Sequence, residues 1–348
     1  MSRSTALTAL AATVALLVPV AAAPAQAADL LSATPTTIAG ATLDVTVPTP
    51  SAPPGVSPDV VYDEATGTYY LYTTNMPPTT YTSRDGVSWT AVPNATLPNG
   101  FDWSVVKMGP NDYRMYYSSI NPNAPSTVQC SKQRKELRWA TSSNLVNWTQ
   151  QPGVLLDDVG CGVPHVLRKA DGSFLLYWNS MLPQHGVYMA TSADGLTWTK
   201  LPGIVANDED FVDPAPLQMP DGTFLMVGST TGKSDAQQLR ILASPNGIDW
   251  TMRAAPLYAP SGISVLDPAL KLVDGQLRVW FGYAPGRDHA NSTIASGLLD
   301  LKAGKVVNAT ATTSTKACKK ADLGKKRTFQ GSTYQCRKVK GAYVWVKR

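Results

Sequence analysis

Two short motifs alternate along the chain and together predict an all-β fold: a five-bladed β-propeller followed by a small C-terminal β module stapled by a disulfide. The first motif is a tight turn closed by a tryptophan, TSRDGVSWTA at 82–91, TSSNLVNWTQ at 141–150, TSADGLTWTK at 191–200 and ASPNGIDWTM at 243–252. The second is a hairpin, VVYDEATGTYYLYTT at 60–74, VVKMGPNDYRMYYSS at 105–119, HVLRKADGSFLLYWNS at 165–180, LQMPDGTFLMVGST at 217–230 and LKLVDGQLRVWFGY at 270–283. Trp89, Trp148, Trp198 and Trp250 are 59, 50 and 52 residues apart. Repeats of that length with two hairpins each make four-stranded units, and such units bury both faces only when packed radially on their neighbours.

The elements follow in chain order. MSRSTALTALAATVALLVPVAAAPAQA joins a basic Arg3 to an apolar run and a small-residue site at Ala25–Ala27, which reads as a signal peptide spanning 1–27. The chain is therefore expected to be secreted. No later apolar run is long enough to span a bilayer, so no membrane span is expected. Residues 28–55 are rich in Pro, Thr, Ala and Ser and read as an N-terminal linker, with the propeller at 56–305. In each blade the hairpin supplies an apolar strand, a Gly or Asn turn and a strand rich in aromatic and branched residues. The Asp/Asn-Gly turn then joins the two outer strands, and its Trp packs back between blades. At 43% hydrophobic and 16% charged residues, the chain is too apolar for wholesale disorder.

A second linker at 306–316 contains NATATTSTK at 308–316, and 317–348 form the small basic module. From Lys316 to Arg348 there are eleven Lys and Arg and one Asp, against a net +5 for the whole chain, so an acidic body carries a basic tail. That charge suits an anionic cell-wall polymer; nucleic acid is not an expected partner of an exported protein. A module so small needs a staple, and the four cysteines divide by location into Cys130 with Cys161 and Cys318 with Cys336. Other pairings of four cysteines remain open. A monomer is expected.

Chemistry is expected where the innermost strands start, because these converge on the propeller axis. In order they are SPDVV with Asp59, GFDWSVV with Asp102 and Trp103, CGVPHVL with His165, FVDPAPL with Asp213 and VLDPALK with Asp267. Read as equivalent positions, they aim four carboxylates and a histidine at one point. Loops on the same face carry Arg134, His185, Lys233, Arg287, Asp288 and His289. The three histidines lack metal-ligand spacing, and neither a metal nor a cofactor is expected. There is no Ser-His-Asp order and no Gly-rich phosphate loop. Clustered carboxylates beside aromatics fit glycoside hydrolysis: one carboxyl protonates the leaving oxygen, another activates water or attacks the anomeric carbon, and a ring stacks on the sugar.

SPDVVYDEATGTYYLYTT, VPHVLRKADGSFLLYWNS and the TSxDGxxW turns resemble the five-bladed propeller glycosidases of glycoside hydrolase families 43 and 32, over about 56–303. The resemblance implies activity on pentose- or fructose-containing oligo- or polysaccharides. It also implies a first-blade Asp as base, a middle-blade Asp that tunes the acid, and a Glu before Gly-Pro or Ala-Pro as the acid. Asp59 takes the base position, and Asp213, Asp267 and Glu209 compete for the acid. Asp102, Trp103, His165, His185, Arg287 and His289 are the expected substrate contacts. CGVPHV has Gly162 where the acid Glu belongs, so the alternative is a propeller that binds glycans without cutting them.

Overall fold

The computed structural model describes residues 31–125, 133–181, 183–233, 236–286, 288–301, 323–329, 332–339 and 342–347. Before the blades come helix α1 (Pro35–Ala39) and strand β1 (Thr42–Thr46). Thr34 and Thr37 form a reciprocal capping box at the start of α1, and Pro35 occupies its first turn, where its missing N–H costs nothing. Blade 1 is β2 (Val56–Asp63), β3 (Thr68–Thr74), β4 (Thr79–Ser83) and β5 (Thr90–Ala91). Blade 2 is β6 (Phe101–Gly109), β7 (Asp112–Pro125), β8 (Gln133–Ser142) and β9 (Thr149–Gln150). Blade 3 is β10 (Gly162–Arg168), β11 (Phe174–Ser180), β12 (Gly186–Ser192) and β13 (Thr199–Lys200). Blade 4 is β14 (Phe211–Gln218), β15 (Phe224–Thr230), β16 (Leu239–Ser244) and β17 (Thr251–Met252). Each is an antiparallel meander in chain order.

Blade 5 differs, and here the sequence reading is corrected. Its order is β1-β20-β19-β18, from β18 (Ile263–Val273), β19 (Gln276–Pro285) and β20 (Thr293–Asp300). The fifth repeat supplies three strands; the fourth comes from the segment read as linker, with Thr42 opposite Asp300 and Thr46 opposite Ser296. Only the Pro-rich stretch after β1 connects. The C-terminal β21 (Lys326–Phe329), β22 (Ser332–Val339) and β23 (Ala342–Lys347) form a three-stranded antiparallel sheet. The signal peptide, the second linker, Cys130 and Cys318 lie outside the described residues, so each expected cysteine pairing has a partner there.

The core lies between the blades. Five apolar clusters correspond to five seams, for example Tyr72, Trp103, Tyr117 and Trp148 between blades 1 and 2, and Tyr177, Phe211, Phe224 and Trp250 between blades 3 and 4. The turn motif is the fastener of these seams. In blade 1, Ser83 Oγ accepts from the backbone N–H of Gly86 (2.9 Å), and Asp85 Oδ1 accepts from those of Val87 (2.8 Å) and Ser88 (2.7 Å). The same net recurs around Asn144, Asp194 and Asn246. So fixed, each turn offers a carbonyl to the preceding blade: Tyr72 Oη donates to Leu145 O (2.6 Å), Tyr177 Oη to Gly247 O (2.6 Å) and Trp280 Nε1 to Gly86 O (2.7 Å). The turn tryptophans Trp148, Trp198 and Trp250 meet Tyr72, Tyr116 and Tyr177 edge to face, as ring quadrupoles favour.

Candidate active site

Each innermost strand begins with a β-bulge whose first residue has a left-handed backbone: Ser57 (φ 48°), Asp102 (54°), Val163 (50°), Asp213 (55°) and Asp267 (48°). Non-glycine residues seldom take this conformation, Asn, Asp and His most readily among them, and such positions concentrate at functional sites. Regular pairing resumes two residues on, at Asp59, Ser104, His165, Ala215 and Ala269. The axis therefore has two tiers. Asp102, Asp213 and Asp267 share the upper one with Ser57 and Val163; Asp59 and His165 lie in the lower. The expectation that five acidic or basic residues occupy one set of positions is thereby corrected. Aligning the tripeptides SPD, DWS, VPH, DPA and DPA on their middle residue gives the true register.

The upper tier is a ring of blade-to-blade hydrogen bonds. Each left-handed residue donates its N–H to the blade before it: Asp102 to Thr74 Oγ1 (2.9 Å), Val163 to Asp102 Oδ2 (3.1 Å), Asp213 to Asn179 Oδ1 (3.0 Å), Asp267 to Ser229 Oγ (3.0 Å) and Ser57 to Asp267 Oδ2 (3.1 Å). Asp213 Oδ1 also accepts from Asn179 Nδ2 (2.6 Å), and Asp267 Oδ2 from Ser57 Oγ (2.9 Å). Asp213 and Asp267 are both buried, and each shifts the other's titration. Burial raises the pKa of Asp213, against bonds from Asp267, Asn179 and Ser229. Burial and then the Asp213 charge raise that of Asp267 well above the carboxylate range. A like-charged neighbour in a buried place disfavours ionisation of the second carboxyl.

The lower tier repeats the stitch. Asp59 Oδ2 accepts from Val105 N (2.6 Å), and Ser104 Oγ from Val166 N (2.9 Å). Lys271 Nζ lies 3.2 Å from Asp59 Oδ1. Asp59 is wholly buried, and burial outweighs Lys271 to raise its pKa. His165 is buried beside it; desolvation, then the Lys271 charge, lowers its pKa to about 3, so the ring is neutral. Asp59 thus ties blades 1, 2 and 5 together, one oxygen bonded by Val105 N and the other paired with Lys271.

The remaining expected contacts divide. Trp103 is buried in the seam between blades 1 and 2 and is no open stacking platform. His185 lies half-buried against Glu209 and Lys233, its pKa lowered by burial and then by Lys233. Glu209 and His289 are exposed. Arg287 lies outside the described residues. Among the described residues no group of three or more His, Cys, Asp or Glu is placed to hold a metal ion. Gly162 explains the missing Glu: at φ 85°, a Cβ there would lie 2.9 Å from Ser118 Oγ and 3.0 Å from Asp102 Oδ2. Sequence reasoning also missed Ser57, Asn179 and Ser229, which hold the Asp213–Asp267 pair, and Lys271. The tripeptide alignment would have exposed Ser57 alone.

No family model matches this sequence, and no curated protein is similar to it. Solved structures are. An endo-arabinase from Bacteroides thetaiotaomicron superposes with a TM-score of 0.59 at 15% identity, over 74% of this chain and 98% of its own. The shared fold is the five-bladed β-propeller. A xylan β-1,4-xylosidase from Bacillus halodurans matches at TM-score 0.55 and 14% identity, over 74% of this chain and 56% of its own. A β-fructofuranosidase of family 32 from Bombyx mori matches at 0.54 and 13%, over 90% and 66%.

Proposed function

We propose that this propeller is an exported glycoside hydrolase acting on pentose- or fructose-containing glycans, with the Asp213–Asp267 pair as its proton donor and Asp102 as the carboxyl facing it. The observation that carries the reading is the burial of Asp213 and Asp267 at equivalent bulges on the axis, where burial raises the pKa of both. Glycosidic cleavage needs an acid that keeps its proton at working pH, and a carboxyl held protonated by burial and a like-charged neighbour is one. The solved propellers of similar fold, named as arabinanase, xylosidase and fructofuranosidase, support the substrate class. Gly162 leaves blade 3 without a Glu, and the pair in blades 4 and 5 supplies the acid instead. Asn179 and Ser57 hold the pair in place by hydrogen bonds.

The test is turnover of nitrophenyl arabinofuranoside, xyloside and fructofuranoside substrates across pH. Activity should fall as pH rises through the raised value of the pair, and Asp267→Asn should lower kcat about 100-fold or more, the usual reach of general acid catalysis. Stability should register the same proton. Because the folded pKa values lie above 3.8, this contribution is fully present below pH 3.8 and is lost as pH rises through the folded values. Asp267→Asn should flatten that slope. Glycan binding without turnover by the unaltered chain would replace the hydrolase reading with a binding one.

A further inference from the structure

The channel has a second mouth, on the face of the tight turns, opposite the carboxylate pair. It opens into a cavity of about 460 Å³ between blades 2 to 5. Among its described lining residues the charged side chains are Lys107, Arg168, Lys169 and Lys271, and none is acidic. The cavity ceiling is His165, and Leu167, Leu217 and Leu270 supply apolar wall. One end of the axis therefore gathers carboxyls and the other gathers cations.

The acids that face these cations stand outside the cavity. Asp59 lies 3.2 Å from Lys271, but its other oxygen is held by Val105 N. Asp171 is 3.0 Å from Lys169, and Glu64 is 4.0 Å from Lys107, both on side chains more than half exposed to solvent. Surface pairs of this kind bind weakly and exchange readily. Arg168 is different. Its Nη1 donates to the carbonyls of Met108 (3.0 Å) and Lys107 (3.4 Å), and among the described residues no carboxylate lies within ion-pair distance of it. Those two bonds fix the guanidinium plane, so less freedom is lost when its remaining donors engage a ligand. The neutral His165 ring adds no charge, and partial enclosure strengthens the field of the cations inside.

We propose that this mouth is an oxyanion site, taking a phosphate or sulfate group either as the free ion or as an ester on a body of monosaccharide size. The volume lies at the lower end of small-molecule pockets, which suits one sugar ring and one charged group. Arg168 would grip two oxygens as a fork, and Lys107, Lys169 and Lys271 would act as point charges around them. The site is independent of the glycosidase reading, because it uses no residue of the carboxylate pair.

The test is calorimetric titration of the full chain with inorganic phosphate and, separately, with a hexose 6-phosphate, each against sodium chloride at matched ionic strength. One saturable site is expected. Arg168→Gln should weaken it about tenfold or more, as loss of a charge-assisted bond does. Lys107→Gln with Lys169→Gln should weaken it too, and their partly exposed side chains keep that variant folded if Arg168→Gln is not. Lys200→Gln, on the outermost strand of blade 3, should leave it unchanged. Binding of the ester with none of the free ion would identify the ester as the ligand. Heats that follow ionic strength alone, or affinity unchanged in both lining variants, would overturn the proposal.

Discussion

The seam between blades 3 and 4 and the seam between blades 4 and 5 are both apolar, yet they are closed by different devices. At the first, the turn of blade 4 reaches back and Tyr177 bonds to Gly247 O. The second has no such turn, because the outer strand of blade 5 is β1. In its place the N-terminal segment fills the groove: Ile38 and Ala33 are buried there, Ala33 N donates to Thr223 Oγ1 (2.8 Å), and Arg253 Nη1 donates to Ala41 O (2.7 Å). A repeated turn is thus a repeated socket. Where the repeat runs out, a segment remote in sequence must do the same work.

That contrast can be broken most severely at the borrowed segment. A chain shortened to begin at Ala52 loses β1, Ile38 and the cap over Thr223. Its stability should fall by about 5 kcal/mol or more, given ~2 kcal/mol for burying Ile38 alone and the loss of one whole strand ladder. Urea unfolding of the two chains measures this; midpoints that coincide would show that β1 is dispensable. The next effect lies at the seam between blades 5 and 1. Trp280→Ala removes a fully buried indole and its bond to Gly86 O, and should cost about 3–5 kcal/mol. Thermal melts of that variant should therefore sit between those of the shortened chain and the parent. The smallest effect isolates the socket itself. Tyr177→Phe keeps the ring against Trp250 and removes only the bond to Gly247 O, for about 1 kcal/mol. A cost equal to that of Trp280→Ala would mean that the hydrogen bond, rather than the aromatic burial, holds the seam.

The blade count and the turns were legible in the sequence because their causes are local. A Ser-x-Asx-Gly turn satisfies its own backbone within six residues, and so it leaves the same letters each time. Even the exception follows, for Leu145 stands where Gly86, Gly195 and Gly247 do and still takes the left-handed conformation, at φ 63°. Strand β1 was not legible. Five residues, TLDVT, between Pro-rich flanks carry little pattern, and their partner Thr293–Asp300 is at the far end of the domain. The site was half legible. Asp102, Asp213 and Asp267 were found as axis carboxyls, and the pair was among the candidates for the acid. The bulge that places Asp59 one tier lower is a backbone event with no residue type of its own, since Ser, Asp and Val all occupy it. Trp103 misled for the same reason: position beside an axis residue does not say which side of the sheet a side chain takes across a bulge.

The pairing of Thr46 with Ser296 also sets an order of events. The segment synthesised first is the one used last, because its partner strand does not exist until four complete blades have followed. Contacts this distant along the chain close slowly, since the intervening loop must be ordered before they return any free energy. During that interval the outer edge of β20 and the apolar groove against blade 4 stand open. A nascent chain is then most exposed to mispairing with a second copy just before it is whole. Ring closure, more than the making of any blade, is the step at which this molecule commits to being a closed propeller.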